Sequence, residues 1–181
     1  MILYHGTNVE FDVIDLKKSK PNKDFGRGFY LSDNYAQALN MAKIKVEQLE
    51  VGSPIVMEFE VDDNVFQAFR VLQFKEYTQE WAQFILQNRN NSTQQQVHDY
   101  DIVIGPIAND RVGVQLWRYN NHSIDLDMLV NDVYDFNDDN KASDLIKVGR
   151  DRQDKGEIKP YFYSYHVIIP KNARLNEREK K

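Results

Sequence analysis

The stretch Asp24-Phe25-Gly26-Arg27-Gly28-Phe29-Tyr30-Leu31-Ser32, continued by Asp33-Asn34, decides how this chain is read. Its two glycines form a tightly turned lead-in. Phe29-Tyr30-Leu31 then makes a short apolar strand, and Ser32-Asp33-Asn34 supplies an N-cap. Beyond the cap, Tyr35, Ala38, Leu39, Ala42, Val46 and Leu49 recur at helical spacing. The order is therefore turn, strand, cap, helix. A ring beside a glycine-lined turn suits stacking on a planar ligand. Taken alone, Tyr30 reads as a core residue. The glycine pair also lacks the strand–loop–helix setting of a dinucleotide fingerprint or a phosphate loop.

Upstream, Met1 to His5 reads as an opening strand that runs into Gly6-Thr7. A His at a strand end followed by Gly puts an imidazole at the sheet rim beside exposed backbone, where a ligand amide can reach the main chain. Between the two motifs lie Phe11, Val13, Ile14 and Leu16, then a polar loop from Lys17 to Asp24. Downstream, Gly52-Ser53-Pro54 ends the first helix. Ile55, Met57, Phe59 and Val61 alternate with Val56, Glu58 and Glu60 as a strand with one partly wet face.

The periodicity then predicts a helix over 74–87, a polar loop over 87–96, and a buried strand Asp101-Ile102-Val103-Ile104 stopped by Gly105-Pro106. It predicts further helices over 115–134 and 142–148, with Trp81 and Trp117 in core positions. A last strand spans Tyr161 to Ile169. With no repeat and no internal boundary, the class is α+β: one domain over 1–175 and a charged tail over 176–181.

Composition narrows the function classes. A chain of 181 residues with ten Tyr and ten Phe builds a core without staples, and with no cysteine it has neither disulfides nor thiol chemistry. The formal net charge of −5 leaves no broad basic face for nucleic acid. No apolar run reaches membrane-span length, and the first residues read as a strand rather than a signal peptide. The expectation is a cytoplasmic protein. His98, His122 and His166 lack metal-ligand spacing, and the acidic run from Asp125 to Asp139 lacks the glycine and glutamate of a calcium loop, so no metal is expected.

His5-Gly6-Thr7 on a first strand, with Gly28-Phe29-Tyr30-Leu31-Ser32 leading into a helix, resembles the ADP-ribosyltransferases of the diphtheria-toxin and poly(ADP-ribose) polymerase type. The chain also resembles an uncharacterised bacterial family of unknown function. That family carries Asp-Phe-Gly-x-Gly-Phe-Tyr-Leu and Asp-Tyr-Asp-Ile-Val-Ile-Gly-Pro-x-Ala-Asn-Asp, the latter matching Asp99 to Asp110. The enzyme resemblance implies a split β-sheet core with flanking helices and NAD as substrate.

In that resemblance His5 holds the ribose 2′-hydroxyl, Gly6 pairs with the nicotinamide amide, Thr7 contacts the adenosine side and Tyr30 stacks on nicotinamide. Gly28, Phe29 and Ser32 complete the second motif. By its position beside that pocket Arg27 reads either as a cation for the pyrophosphate or as a loop charge. The reaction it implies is loss of nicotinamide through an oxocarbenium-like transition state, which demands a nearby carboxylate.

The sequence departs from the pattern twice. Met41 stands where a second stacking Tyr is usual; a thioether covers a ring face less specifically, and the residue reads equally as helix packing. Ser164, or Tyr165 with a slip of one, falls at the position of the late-strand Glu. Asp110 after the Gly105-Pro106 turn is the leading substitute, read equally as a capping residue, with Asp154 and Glu157 as alternatives.

The resemblance implies an NAD-dependent mono-ADP-ribosyltransferase acting on a macromolecular acceptor, such as a toxin paired with an antitoxin protein. The alternative is a module that binds NAD or ADP-ribose without turnover. RNA 2′-phosphotransfer on the same fold is disfavoured by the acidic balance.

Overall fold

The computed structural model describes residues 1–61, 64–93, 95–108, 110–135, 144–148 and 164–168; at 65, 110, 134–135, 144–145, 148 and 164–168 it describes the backbone alone. Within the described residues seven strands form one mixed sheet: β1 (Ile2–Thr7), β2 (Phe29–Ser32), β3 (Ile55–Glu60), β4 (Val71–Gln73), β5 (Ile102–Pro106), β6 (Asp144–Val148) and β7 (Ser164–Ile168), ordered β4-β5-β6-β2-β1-β3-β7. Every neighbouring pair is antiparallel except β4–β5. The sheet is weakest between β1 and β2, which register only at Tyr4↔Ser32, whereas β1 and β3 register along the whole of β1.

Among the described residues five α-helices accompany the sheet: α1 (Tyr35–Leu49), α2 (Val65–Ala68), α3 (Gln79–Arg89), α4 (Asp110–Asn120) and α5 (Leu126–Asp135). Strand alternation divides the interior. Phe29 and Leu31 of β2 join Leu3, Met57, Phe59, Ile102 and Ile146 in one core, while Tyr30 packs against the second. That second core holds Phe25, Trp81, Ile85, Val103, Leu116 and Leu129 under α3, α4 and α5.

Helix α1 starts where the cap signal places it: the Asn34 side chain accepts from the Gln37 N–H, and Glu50 in the left-handed region ends it. It lies close on β1. A Cβ on Gly6 would come 1.9 Å from the Ala38 carbonyl oxygen, so only glycine permits the approach. Ala38 and Ala42 are buried there, but Leu49 is exposed, because the helix outruns the sheet. Val56 is buried although its strand was expected to be half wet; it registers with Gly6 and so shares the face that α1 covers.

Three predicted helices change. The helix expected over 74–87 begins at Gln79, because Thr78 accepts from the Trp81 N–H, while Val71–Gln73 pair with β5 and the Phe74 N–H extends that ladder to the Ile104 carbonyl. The helix expected over 115–134 is two, α4 and α5. They are separated by a turn with His122 at φ 57°, and Asp125 accepts from the Met128 N–H to start the second. The segment expected as a helix over 142–148 supplies β6 instead, because β2 and β5 both need a strand between them and its Leu-Ile-Lys-Val run fits one. Trp81 is buried, but Trp117 is 63% exposed on α4.

Candidate functional site

The weak seam between β1 and β2 opens into a cavity of about 640 Å³. Tyr4, His5 and Gly6 form one wall, Tyr30, Leu31 and Ser32 a second, and Ala38, Met41 and Lys45 of α1 a third. Asn22, Lys23, Asp24 and Arg89 also line it, as do Ile107 and Ala108 just past β5. The two motifs thus meet across a gap that strand pairing would otherwise fill.

His5 is held as a neutral ring. Its Nδ1 lies 2.7 Å from the Tyr30 carbonyl oxygen, which can only accept, so Nδ1 carries the proton and Nε2 presents a lone pair. Burial, reinforced by the Lys45 charge, pushes the imidazole pKa down to about 3 against the pull of that carbonyl bond. Phe29 stacks on the ring at 4.4 Å between centroids. The arrangement offers an acceptor at Nε2, which suits a hydroxyl rather than an anion.

Tyr30 has two tasks. Its hydroxyl donates to the Gly26 carbonyl oxygen at 2.5 Å and accepts from the Phe25 N–H at 3.1 Å, fastening the glycine turn. Gly26 sits at φ +77°, which that turn requires. Burial raises the phenol pKa well above its ordinary value, so the hydroxyl stays protonated and donating. The ring still lines the cavity, with Lys23 Nζ 4.8 Å from its centroid.

Lys45 is a site residue that the sequence pattern did not reveal. From α1 its Nζ donates to the Gly6 carbonyl at 2.6 Å and lies 3.4 Å from His5 Nε2. Burial, then the neighbouring Lys23 charge, lowers its pKa to about 8. Its position between Ala42 and Val46 reads in sequence as an ordinary polar helix residue, and only the nearness of α1 to β1 brings it to the two motifs. Arg89 is likewise unforeseen: it pairs with Asp24 at 2.6 Å on the rim.

The expected ligand-contacting residues divide. His5, Gly6, Tyr30, Ser32 and Met41 line the cavity, with Met41 41% exposed and therefore not packing ballast of α1. Thr7, Arg27, Gly28 and Phe29 do not line it. Thr7 is buried with its hydroxyl donating to the Val9 carbonyl; Phe29 lies in the core; the Gly28 N–H donates to Ser19 Oγ.

The acids divide too. Asp110 opens α4, two residues beyond the lining Ala108, while its side chain is outside the described residues, as are Asp154 and Glu157 altogether. Ser164 and Tyr165 open β7 and register with Glu60 and Phe59, at the sheet edge and two strands away from β1. The strand beside β2 is β6. Its first residue, Asp144, registers with Pro106, and the next, Leu145, with Ser32, so the start of β6 lies between two lining segments. Reading 142–148 as a helix hid this position.

A second cavity, of about 540 Å³, lies at the α4–α5 turn between Tyr119 and Met128. Among the described residues no cluster of His, Cys, Asp or Glu is arranged to hold a metal, and no helix is long and apolar enough to cross a membrane. A family model described as a protein of unknown function (DUF3990) matches residues 1–154. Comparison with curated proteins and with solved structures finds no match.

Proposed function

Starting from the fact that the chain belongs to the DUF3990 family, whose description assigns no activity, we propose that it is an NAD-dependent mono-ADP-ribosyltransferase built on an ADP-ribosyltransferase-like split sheet. One observation carries the reading: His5, Gly6 and Tyr30, drawn from two motifs that resemble those of the transferases, line a single cavity, and His5 is neutral with Nε2 free of its own proton. A ribose hydroxyl donates to Nε2, the nicotinamide amide pairs with Gly6, and Tyr30 stacks on the ring. The Gly6 carbonyl already accepts from Lys45, but an oxygen with two lone pairs accepts a second donor.

The geometry supports positioning before chemistry. Holding ribose and amide at once fixes the glycosidic bond, so that departure of nicotinamide and attack by an acceptor become steps within one complex. The positive charge that develops at the anomeric carbon needs a carboxylate. Asp24 lines the cavity but is tied to Arg89. That leaves Asp144 and Asp110, whose backbones open β6 and α4 beside lining segments, as the acids to test. The acceptor is a macromolecule, and a toxin role with an antitoxin partner follows the resemblance alone.

The test has two parts. His5→Gln should weaken NAD binding by roughly a hundredfold, since a buried charge-free acceptor and its stacked ring are both replaced. With labelled NAD and cell lysate, the parent should transfer label, and Asp144→Asn or Asp110→Asn should abolish transfer while NAD still binds. Absence of NAD consumption by the folded parent would sink the transferase reading. The engagement of Asp24 by Arg89 favours a second reading, a module that binds NAD or ADP-ribose without turnover. Tight NAD binding with no label transfer by the parent selects it.

A further inference from the structure

A half-buried ammonium with no carboxylate partner has lost part of its hydration without a counter-charge, and an anionic ligand would supply one. Among the described residues, no carboxylate lies within ion-pair distance of Lys45. The carboxylate on the cavity wall, Asp24, is held by Arg89 at 2.6 Å. An ammonium carries three N–H donors. One is spent on the Gly6 carbonyl at 2.6 Å, while His5 Nε2, at 3.4 Å and with a single lone pair, is left to the ribose hydroxyl, so two remain for the cavity. Lys23 stands over Tyr30 on the same cavity, close enough that its charge adds to burial in lowering the Lys45 pKa; its own pKa is lowered by burial first, against the pull of Asp24, and then by Lys20. In a chain of net charge −5, the cavity thus gathers Lys45, Lys23 and Arg89 around one lining carboxylate, Asp24, which Arg89 already holds. Arg27, the cation expected from sequence to meet a pyrophosphate, does not line it.

We propose that Lys45, with Lys23 at the mouth, forms an anion subsite that takes the diphosphate of a nucleoside diphosphate. The subsite rests on the dinucleotide reading for its role, since a diphosphate links the two nucleosides, but its chemistry stands on the lysines. The cavity volume of about 640 Å³ lies in the range of small-molecule sites. Each lysine N–H that meets a phosphate oxygen forms a charge-assisted hydrogen bond. A purely structural Lys45, fastening α1 to the end of β1, would not distinguish a charged ligand from a neutral one.

Calorimetric titration of the full chain with ADP, nicotinamide and NAD tests the assignment, using the parent, Lys45→Met, Lys45→Arg and Arg27→Met. Lys45→Met should weaken ADP binding roughly tenfold or more, the loss of one charge-assisted bond. Lys45→Arg should restore most of it, and nicotinamide affinity should stay within about twofold. Arg27→Met should bind ADP as the parent does. Equal ADP affinity in parent and Lys45→Met overturns the subsite, as does a folded parent that fails to bind ADP. An equal loss of ADP and nicotinamide affinity also overturns it, because that marks a structural role. If ADP binds through Lys45 while NAD and nicotinamide do not, the subsite stands and the transferase reading falls. If NAD binds equally to parent and Lys45→Met, the subsite falls while NAD binding at the cavity stands.

Discussion

Two cavities of similar size among the described residues differ in how they are built. The cavity at the β1–β2 seam is walled by two strands and a helix pressed so close that Gly6 cannot be anything larger. It contains a histidine held neutral, a lysine with a lowered pKa and a tyrosine hydroxyl spent on a turn. The cavity at the α4–α5 turn is walled by one connecting loop and the helix ends it joins, with Met128 and neighbouring His122 on open surface. Volume alone therefore says little. What distinguishes a site is that burial and fixed partners change the chemistry of the groups that line it.

The sharpest way to break the contrast is one methyl group at Gly6. A Cβ there meets the Ala38 carbonyl oxygen at 1.9 Å and the Ala42 nitrogen at 2.9 Å, both helix backbone that cannot rotate away. Gly6→Ala should cost more than about 3 kcal/mol or shift α1 bodily, and NAD binding should be lost with it. Urea unfolding midpoints with an unchanged m-value would measure the cost. A variant as stable as the parent would mean that α1 does not sit on β1 at this distance.

The next effect is acid sensitivity. His5 and His98 are both buried as neutral rings, with pKa values pushed down to about 3 and about 4, chiefly by burial. His98 donates through Nε2 to the Phe25 carbonyl at 2.9 Å and accepts at Nδ1 from the Tyr100 N–H. In the unfolded chain each ring takes a proton near its ordinary value, about 6.5. Between the two values the unfolded state binds more protons, so stability falls as pH drops from about 6.5 toward 4. Both rings keep an edge toward solvent, which reduces the effect to an order of 3 kcal/mol for the pair. Replacing His98 by Gln, which retains a donor for Phe25, should flatten the slope of the urea midpoint against pH. An unchanged slope would rule His98 out as a contributor.

Tyr30→Phe comes third. It removes the hydroxyl that serves the Gly26 carbonyl and the Phe25 N–H, leaving both without that partner, and should cost about 2 kcal/mol. The ring remains to stack, so NAD affinity should fall much less than in His5→Gln. A loss as large as that of His5→Gln would show that the turn, rather than the ring, is what the ligand reads.

The parts of this molecule visible in its sequence are those where local signals decide. The turn–strand–cap–helix order from Gly26 to Leu49 was readable because glycine, a capping Asn and a helical repeat each act over a few residues. The segment 142–148 was not, because Leu-Ile-Lys-Val serves either periodicity and its strand state is imposed by β2 and β5 on its flanks. The same holds within the site. His5, Gly6 and Tyr30 were legible because their motifs are contiguous. Lys45 was not, because its partners lie 39 and 40 residues away and depend on how closely two elements pack. The placement of Asp144 depends on strand order, which no local pattern encodes.

The smallest expected effect has the opposite sign, and the comparison between the two regions turns on it. Gly113 lies inside α4, and a Cβ built there meets nothing nearer than Arg89 Nη1 at 3.7 Å, the end of a flexible side chain. Its backbone needs no positive φ, so the residue loses entropy on folding without gaining an approach that only glycine allows. Gly113→Ala should therefore stabilise the chain by about 0.5–1 kcal/mol, the helix-propensity difference between the two residues. ADP and NAD affinities should be unchanged, because Gly113 is not among the residues that line the β1–β2 cavity. Thermal and urea melts of Gly6→Ala and Gly113→Ala side by side would set the same added methyl against two environments. If Gly113→Ala also destabilised, α4 would be packed as tightly as α1, and tight packing would no longer set the β1–β2 seam apart from the rest of the molecule.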